Sequence, residues 1–569
     1  MTLSPATPAT PTTPPPALGR RALLGATGLG GLAVLAAGPD LAAAAPARSR
    51  VSPFDLDFEV VDRQRRVDLL ADRFVTLRDS FAAAGRAKEY AVLAPRGTAG
   101  AVRSGGGELR IGGGAGAHST LLRSRTRQEA PYAAVLVDVA SFSGDGTRDR
   151  VLAGLARGAR DHLLAWYDRA TGTVGIDLTL DGTTETLGTA EADLAAPFEL
   201  GFALTSTTVV AFADTGSGPD PLVKATLDER LDLREPAALR TWHNSFGAES
   251  GSGTVVLDRV RAGYFGQLGL RDPHLVTHAD GTPYIDRGKA YLTFTQAGLG
   301  FFETAHWGVW TLDLETYRLE QVANLFFQRD GNDVVLGDHA GHLVRDDANR
   351  RWIVTTSTWG DFANDSVEID YATPRSSVDV LSGVHVLRTR QLRLPTGDLP
   401  SAAVGQWDPH VVRIGARWYV GFVNARRFFD FYPALARSPR GGDFTELSLV
   451  GADPSKVETE GTVLQRFGGR WYVLASNGDA SPAEIRGQYP VYDLEMEQLG
   501  VLDAPHPTNI PWPMVIPVAE RGRTRWLLVT FNGTQYDEPL LGYGTHGDVV
   551  VMEAQRTKGV EFPGRRARP

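Results

Sequence analysis

Asp272, Asp408 and Glu460 occupy one position of a strand motif that occurs five times in the second half of the chain. The copies begin Arg-Asp-Pro-His-Leu-Val at 271–276, His-Ala-Gly-His-Leu-Val at 339–344, Trp-Asp-Pro-His-Val-Val at 407–412, Thr-Glu-Gly-Thr-Val-Leu at 459–464 and Pro-Trp-Pro-Met-Val-Ile at 511–516. Aligned, one column reads Asp272, Ala340, Asp408, Glu460, Trp512, at spacings of 68, 68, 52 and 52 residues. Taken singly, each acid is a turn or cap residue more often than a catalyst. Three in register are a different matter. Two carboxyl groups across a small cleft are the minimum apparatus for opening a glycosidic bond, one protonated to serve the leaving oxygen and one ionised to activate water or attack carbon. A third carboxylate nearby raises the pKa of the acid and keeps it protonated near neutrality.

The elements that must bring these acids together are strands. Four copies are followed by a second strand opening Arg-Trp, at Arg351-Trp352, Arg417-Trp418, Arg470-Trp471 and Arg525-Trp526, and the first has Lys289-Ala290-Tyr291 there. Strand pairs recurring every 50 to 70 residues predict a five-bladed β-propeller over 266–569, one blade per repeat. A propeller carries the same position of every blade to one axis, so the column becomes a ring of carboxylates. Period-2 alternation sends His274, His342 and His410 to a second tier below it, as a cation or water site or as hydrogen-bond partners of the acids. Glu458 competes with Glu460 from the same strand face, and register favours Glu460. Substrate contacts are expected from His274, His339 and His410, from Trp359, Trp407 and Trp512, from Asp361 and from Arg426, with the Phe-Phe-Asp-Phe-Tyr run at 428–432 adding sugar-stacking rings.

Asp-Pro in the first repeat, Asp-Pro in the third and Glu-Gly in the fourth resemble the motifs of glycoside hydrolase family 43, in the five-bladed clan that includes families 32, 62 and 68. The resemblance covers 266 to about 555. It implies Asp272 as general base, Asp408 as pKa modulator and Glu460 as general acid in an inverting hydrolysis of furanosides or xylosides. It also implies a calcium ion in the central channel, approached by His546 of Gly-Tyr-Gly-Thr-His-Gly-Asp (542–548). Thr462 stands where the family usually has proline. A retaining fructan hydrolase or transferase with Asp272 as nucleophile, and a silent carbohydrate-binding propeller, remain alternatives. Carboxyl separations of about 6.5–9.5 Å for inverters and about 5–5.5 Å for retainers distinguish the first two.

The rest of the chain has less to do with chemistry. Residues 1–47 read as a twin-arginine export signal, with Arg20-Arg21 before a weakly apolar run and Ala45-Pro46-Ala47 as a cleavage site, which predicts a secreted or extracytoplasmic protein. Residues 48–89 form a charged lead-in with a helix-like apolar spacing at Val67, Leu69, Leu70, Phe74, Val75 and Leu77. From 90 to 265, short alternating runs between Gly, Asp and Thr turns predict an antiparallel jelly-roll sandwich whose texture resembles concanavalin/laminin-G-like domains. Trp166 and Trp242 are its candidate sugar platforms, with a structural buttress the favoured reading. The chain of 569 residues has no cysteine, which removes disulfides and thiol chemistry. A formal net charge of −9 gives no basic excess for nucleic acid. No segment beyond the leader is apolar enough to span a membrane. The expected partner is a carbohydrate substrate.

Overall fold

A computed structural model describes residues 51–112, 116–143, 148–361, 366–399, 404–520, 523–535, 546–557 and 560–561. The leader assigned to export lies outside them. The described chain is almost entirely β, in two packed parts.

The carboxy-terminal part is propeller-like and built from antiparallel meanders of four strands. The first runs Leu270–Leu275, Lys289–Gln296, His306–Asp313, Leu319–Arg329, and the second His339–Asp346, Arg351–Ser357, Ile369–Ala372, Gly383–Gln391. Their outermost strands pair in parallel, Ala323 with Gly383 through Arg329 with Thr389, which merges the two into one sheet. The third and fourth meanders begin at Gly405–Ile414 and Thr459–Phe467. The fifth is completed from the other end of the chain. Met514–Glu520, Arg523–Gln535 and His546–Thr557 supply three strands, and Leu56–Arg65 pairs antiparallel with His546–Thr557 as the fourth. Val60 and Val61 are exposed on this outer strand, and the following Asp-Arg-Gln-Arg keeps the edge charged, which discourages further pairing. Trp352, Trp418 and Trp526 of the repeated Arg-Trp strands are buried in the packing between neighbouring meanders.

The amino-terminal part is a sandwich of two sheets whose facing side chains, among them Val135, Val137, Leu163, Ile176, Phe202 and Phe246, form one core. Trp166 and Trp242 are buried, so neither is the exposed platform considered from sequence. Trp166 lies flat on Gly175, where an added Cβ would stand 2.3 Å from the indole, and Arg150 covers its other face at 4.0 Å.

The helix-like lead-in is also strand. Asp68–Asp79 pairs with Thr254–Gln267, and the pairing skips: Leu77 faces Ala262, Val75 faces Gly263, but Leu70 faces Phe265. The irregularity inserts residues between paired positions and stretches a two-residue period towards a helical one. Leu69, Leu70 and Phe74 then pack with Phe212, Phe265 and Phe326 between the two parts. Tyr132 locks this junction, its ring 4.9 Å from Phe326 and its hydroxyl donating to the Ala305 carbonyl at 3.0 Å.

Candidate active site

A β-bulge at one place in successive inner strands builds the site. Pairing slips between Arg271 and His274, between His339 and His342, between Trp407 and His410, and between Glu460 and Val463. A left-handed residue marks each slip: Asp272 (φ 51°), Ala340 (φ 52°), Asp408 (φ 57°) and Gly461 (φ 68°). Such a backbone is costly for a residue with a Cβ and is kept where surrounding contacts over-determine it. Here hydroxyls of the preceding meander do so. The Ala340 N–H donates to Thr295 Oγ1 at 3.2 Å, and the Asp408 N–H donates to Ser357 Oγ at 3.0 Å. The third meander has Val423 at the corresponding pairing position and offers no hydroxyl. At the next bulge the residue is glycine, whose backbone lies beside the Asp408 carboxyl.

This register corrects the sequence alignment by one residue in the fourth meander. Gly461, not Glu460, is the partner of Asp272, Ala340 and Asp408. Glu460 aligns with Arg271, His339 and Trp407, and Val463, not Thr462, aligns with the histidines. Both columns nevertheless face one cavity, because a bulge turns consecutive residues to the same side of the strand. Asp272, Ala340 and Asp408 line it together with His339, Trp407 and Glu460. Trp512 and Trp359 close its sides with Phe302, and the turn carrying Phe428, Phe429 and Phe431 forms the outer wall. The cavity measures about 100 Å³.

The acids are close enough to govern one another. Burial and, next, the charge of Asp272 push Glu460 up to about 8. The Trp407 and Trp512 indole N–H groups donate to its two oxygens at 3.3 and 3.4 Å. Asp408 is held well above the usual carboxylate range, first by burial and then by Glu460 and Asp272. Its Oδ2 has no hydrogen-bond partner among the described residues. Asp272 has the Arg271 guanidinium 4.0 Å away, and Arg271 in turn rests on Phe531 at 4.9 Å. Asp272 is the largest charge acting on Glu460, and Asp408 lies beside both at the neighbouring bulge.

The other expected residues fall into three groups. His339, Trp359, Trp407 and Trp512 line the cavity, His339 with its Nε2 on the Phe302 carbonyl at 3.1 Å. His274, His342 and His410 form the tier below, fully buried and stacked, with ring centroids 4.2 Å apart for His342 and His410 and 5.1 Å for His274 and His342. Burial lowers all three, His342 to about 3, so the stack is neutral and carries no charge to the acids. His342 Nδ1 accepts from the Val411 N–H at 3.0 Å and Nε2 donates to the Leu275 carbonyl at 3.1 Å, tying three meanders together. Neither His274 nor His410 lines the cavity, and direct substrate contact is not their place. Asp361 and Arg426 are occupied elsewhere. Asp361 pairs with Arg329 at 2.8 Å in a neighbouring polar cleft, and Arg426 pairs with Asp430, stacks on Tyr432 and donates to the Lys456 carbonyl. Glu458 is buried away from the cavity, accepting from Asn509 Nδ2 at 2.9 Å and from the Ala480 N–H. Sequence reasoning missed Phe302, and it missed Arg271 although that residue opens the first motif.

Among the described residues no group of three or more His, Asp or Glu side chains is arranged to hold a metal ion, and the His546 side chain lies outside them. The calcium implied by the resemblance falls on that side chain.

The fold and site thus define an all-β, propeller-like protein with three carboxyl groups in an aromatic cavity. No protein-family model and no curated protein matches the sequence. Solved structures do. A levansucrase variant from Bacillus subtilis is 9% identical over 46% of this chain and 79% of its own, with a TM-score of 0.35. A GH43_1 enzyme from Xanthomonas citri is 15% identical over 53% and 93%, with a TM-score of 0.33. The carbohydrate-binding module CBM66 from Bacillus subtilis is 12% identical over 30% and 94%, with a TM-score of 0.24. Likeness at this level adds nothing to the functional argument, which rests on the cavity.

Proposed function

We propose that this cavity hydrolyses O-glycosidic bonds, with furanosides or xylosides as substrates and inversion at the anomeric carbon. One observation carries the reading: Glu460 shares a cavity with Asp272 and is held protonated up to about pH 8 by burial and by that neighbour's charge. Paired carboxyls pushed to opposite protonation states are the mark of acid and base roles. Glu460 gives its proton to the leaving oxygen as the C–O bond breaks. Asp272, beside Arg271, takes a proton from the water that attacks the anomeric carbon, and Asp408 presents its unpartnered oxygen to a substrate hydroxyl. The five meanders are read as five blades about the histidine stack, the sandwich as a buttress, and Arg20-Arg21 as the signal for export of the folded protein.

Removing the acid tests this. Glu460→Gln should lose ~10²–10⁴-fold on alkyl glycosides, the usual value of general acid catalysis, and far less on dinitrophenyl glycosides, which need no proton. Equal losses on both would remove Glu460 from that role. The anomer first formed, read by NMR, decides inversion against the retaining alternative.

A further inference from the structure

The cavity does not end at the acids. Its rings continue outward as a graded wall: Trp407, Trp512 and Phe431 are buried, Phe302 and Phe428 are half-buried, Phe429 at the rim is 67% exposed, and Phe301, outside the lining but against Phe302, is 47% exposed. The rings are contiguous. Phe301 and Phe302 are 4.2 Å apart, Phe302 and Trp359 5.1 Å, and Phe428 stacks on Trp407 at 6.4 Å. Among the described residues the polar side chains lining the cavity, apart from the indoles, are the three acids and His339, and His339 is committed to the Phe302 carbonyl. All of them belong to the inner strands at the floor.

The turn that carries the rim is itself unusual. Arg427 pairs with Asp430, so Phe428 and Phe429 are the two central residues of a tight hairpin. Such turns favour Asn-Gly or Asp-Gly, because the central positions need left-handed backbone. Phe429 adopts φ 61° and still holds its ring in water. A bulky residue in that conformation, exposed at the mouth of a site, points to a ligand.

We propose that this wall is the leaving-group side of the site and that it takes an apolar aglycone, an alkyl or aryl group on the glycosidic oxygen, in preference to a second sugar. The proposal rests on the glycosidase reading above. A second sugar can lay one face on a ring, but its hydroxyls would meet carbon along this wall, and polar groups desolvated without partners are disfavoured. An apolar aglycone gains from every ring it covers. On cleavage the glycosidic oxygen takes the Glu460 proton, the anomeric carbon takes hydroxide from water as Asp272 takes the remaining proton, and the aglycone leaves as the neutral alcohol past Phe301 and Phe429.

The test compares methyl with octyl glycosides of α-L-arabinofuranose, β-D-xylopyranose and β-D-fructofuranose, below the critical micelle concentration. The two alcohols are similar leaving groups, so their ratio reports contact with the chain and not chemistry. On the accepted sugar, kcat/KM for the octyl glycoside should exceed that for the methyl glycoside at least tenfold, and the Phe301→Ala/Phe429→Ala double variant should bring the ratio to within about twofold of one. A wild-type ratio near one, or a ratio the double variant leaves unchanged, overturns the proposal while the glycosidase reading stands. If no glycoside of the panel is hydrolysed, the glycosidase reading is what fails, and binding of methyl and octyl thioglycosides, followed by tryptophan fluorescence, decides the wall separately. Tenfold tighter octyl binding that the double variant abolishes supports it; equal binding overturns it.

Discussion

The proposed acid role of Glu460 requires that it keep a proton that water would remove, and the source of that shift is testable at the level of single residues. Asp272→Asn withdraws the nearest negative charge, so Glu460 should ionise more easily and its pKa fall from about 8 towards the ordinary carboxylate range. A carboxyl resonance followed by ¹³C NMR against pH measures this, and an unmoved titration would contradict it. Asp408→Asn removes a carboxyl that is not among the main groups acting on Glu460, so it should move the same titration much less. The shift also has a cost in stability. Because Glu460 is raised from 4.5 to about 8, the native state holds a proton that the unfolded chain releases across that window. The stabilisation is therefore full below about pH 4.5 and is lost as pH rises through about 8. Glu460→Gln lacks this dependence. The melting temperature of the variant minus that of the wild type should climb between pH 4.5 and 8 and level off above, and a flat difference across the window would count against the shift. Asp272, Asp408 and Glu460 stood out in sequence because acids at one place of a repeated motif are rare, although the bulge sets Glu460 one residue off that column. Arg271 and Phe302 did not, since an arginine before Asp-Pro and one more phenylalanine carry no mark of a cavity.

At the scale of elements, the bulge is the device that turns a strand into a wall of the cavity. It sets two consecutive residues towards the axis, where an ideal strand presents every second one. In the fourth meander it depends on Gly461, where φ is 68° and an added Cβ would stand 2.7 Å from the Trp512 ring. Gly461→Ala should push Trp512 aside, loosen its indole hydrogen bond to Glu460 and destabilise the protein by roughly 1–3 kcal/mol. Chemical denaturation measures the loss, with a matching fall in kcat expected if Glu460 is displaced. The one-residue offset at this bulge was invisible to alignment, because similarity of letters placed Glu460 under Asp272 and Asp408. Which hydroxyl reaches which bulge N–H is settled between neighbouring meanders, and no single strand contains that information.

For the molecule as a whole, closure comes from the amino terminus. Leu56–Arg65 finishes the last meander, and the next strand, Asp68–Asp79, finishes a sheet of the sandwich. One short segment therefore belongs to both parts and holds them against each other. A fragment of residues 266–569, the unit suggested by the repeats, lacks the fourth strand of its last sheet and leaves the Phe58 contacts with Val550 and Met552 unfilled. It should express as an insoluble or molten species, and fusion or addition of residues 51–66 should restore a cooperative melt in calorimetry. A fragment that melts cooperatively without them would show that closure does not need this strand.

The sequence by itself determined the strand repeat, the all-β class, the acids that the repeat carries and the lack of any thiol, because these follow from residue types at short, regular spacing. Tertiary structure decided the rest. Whether an acid at a motif position faces the cavity or ties a loop depends on burial and on groups that arrive from elsewhere in the fold, as Glu460 and Glu458 show. Whether a charged lead-in is a helix or two strands depends on the edges available to pair with it, and those edges lie at His546–Thr557 and Thr254–Gln267, far along the chain. Local pattern states what a segment is able to become. Long-range pairing and desolvation choose among those options, because both depend on what the rest of the chain places alongside.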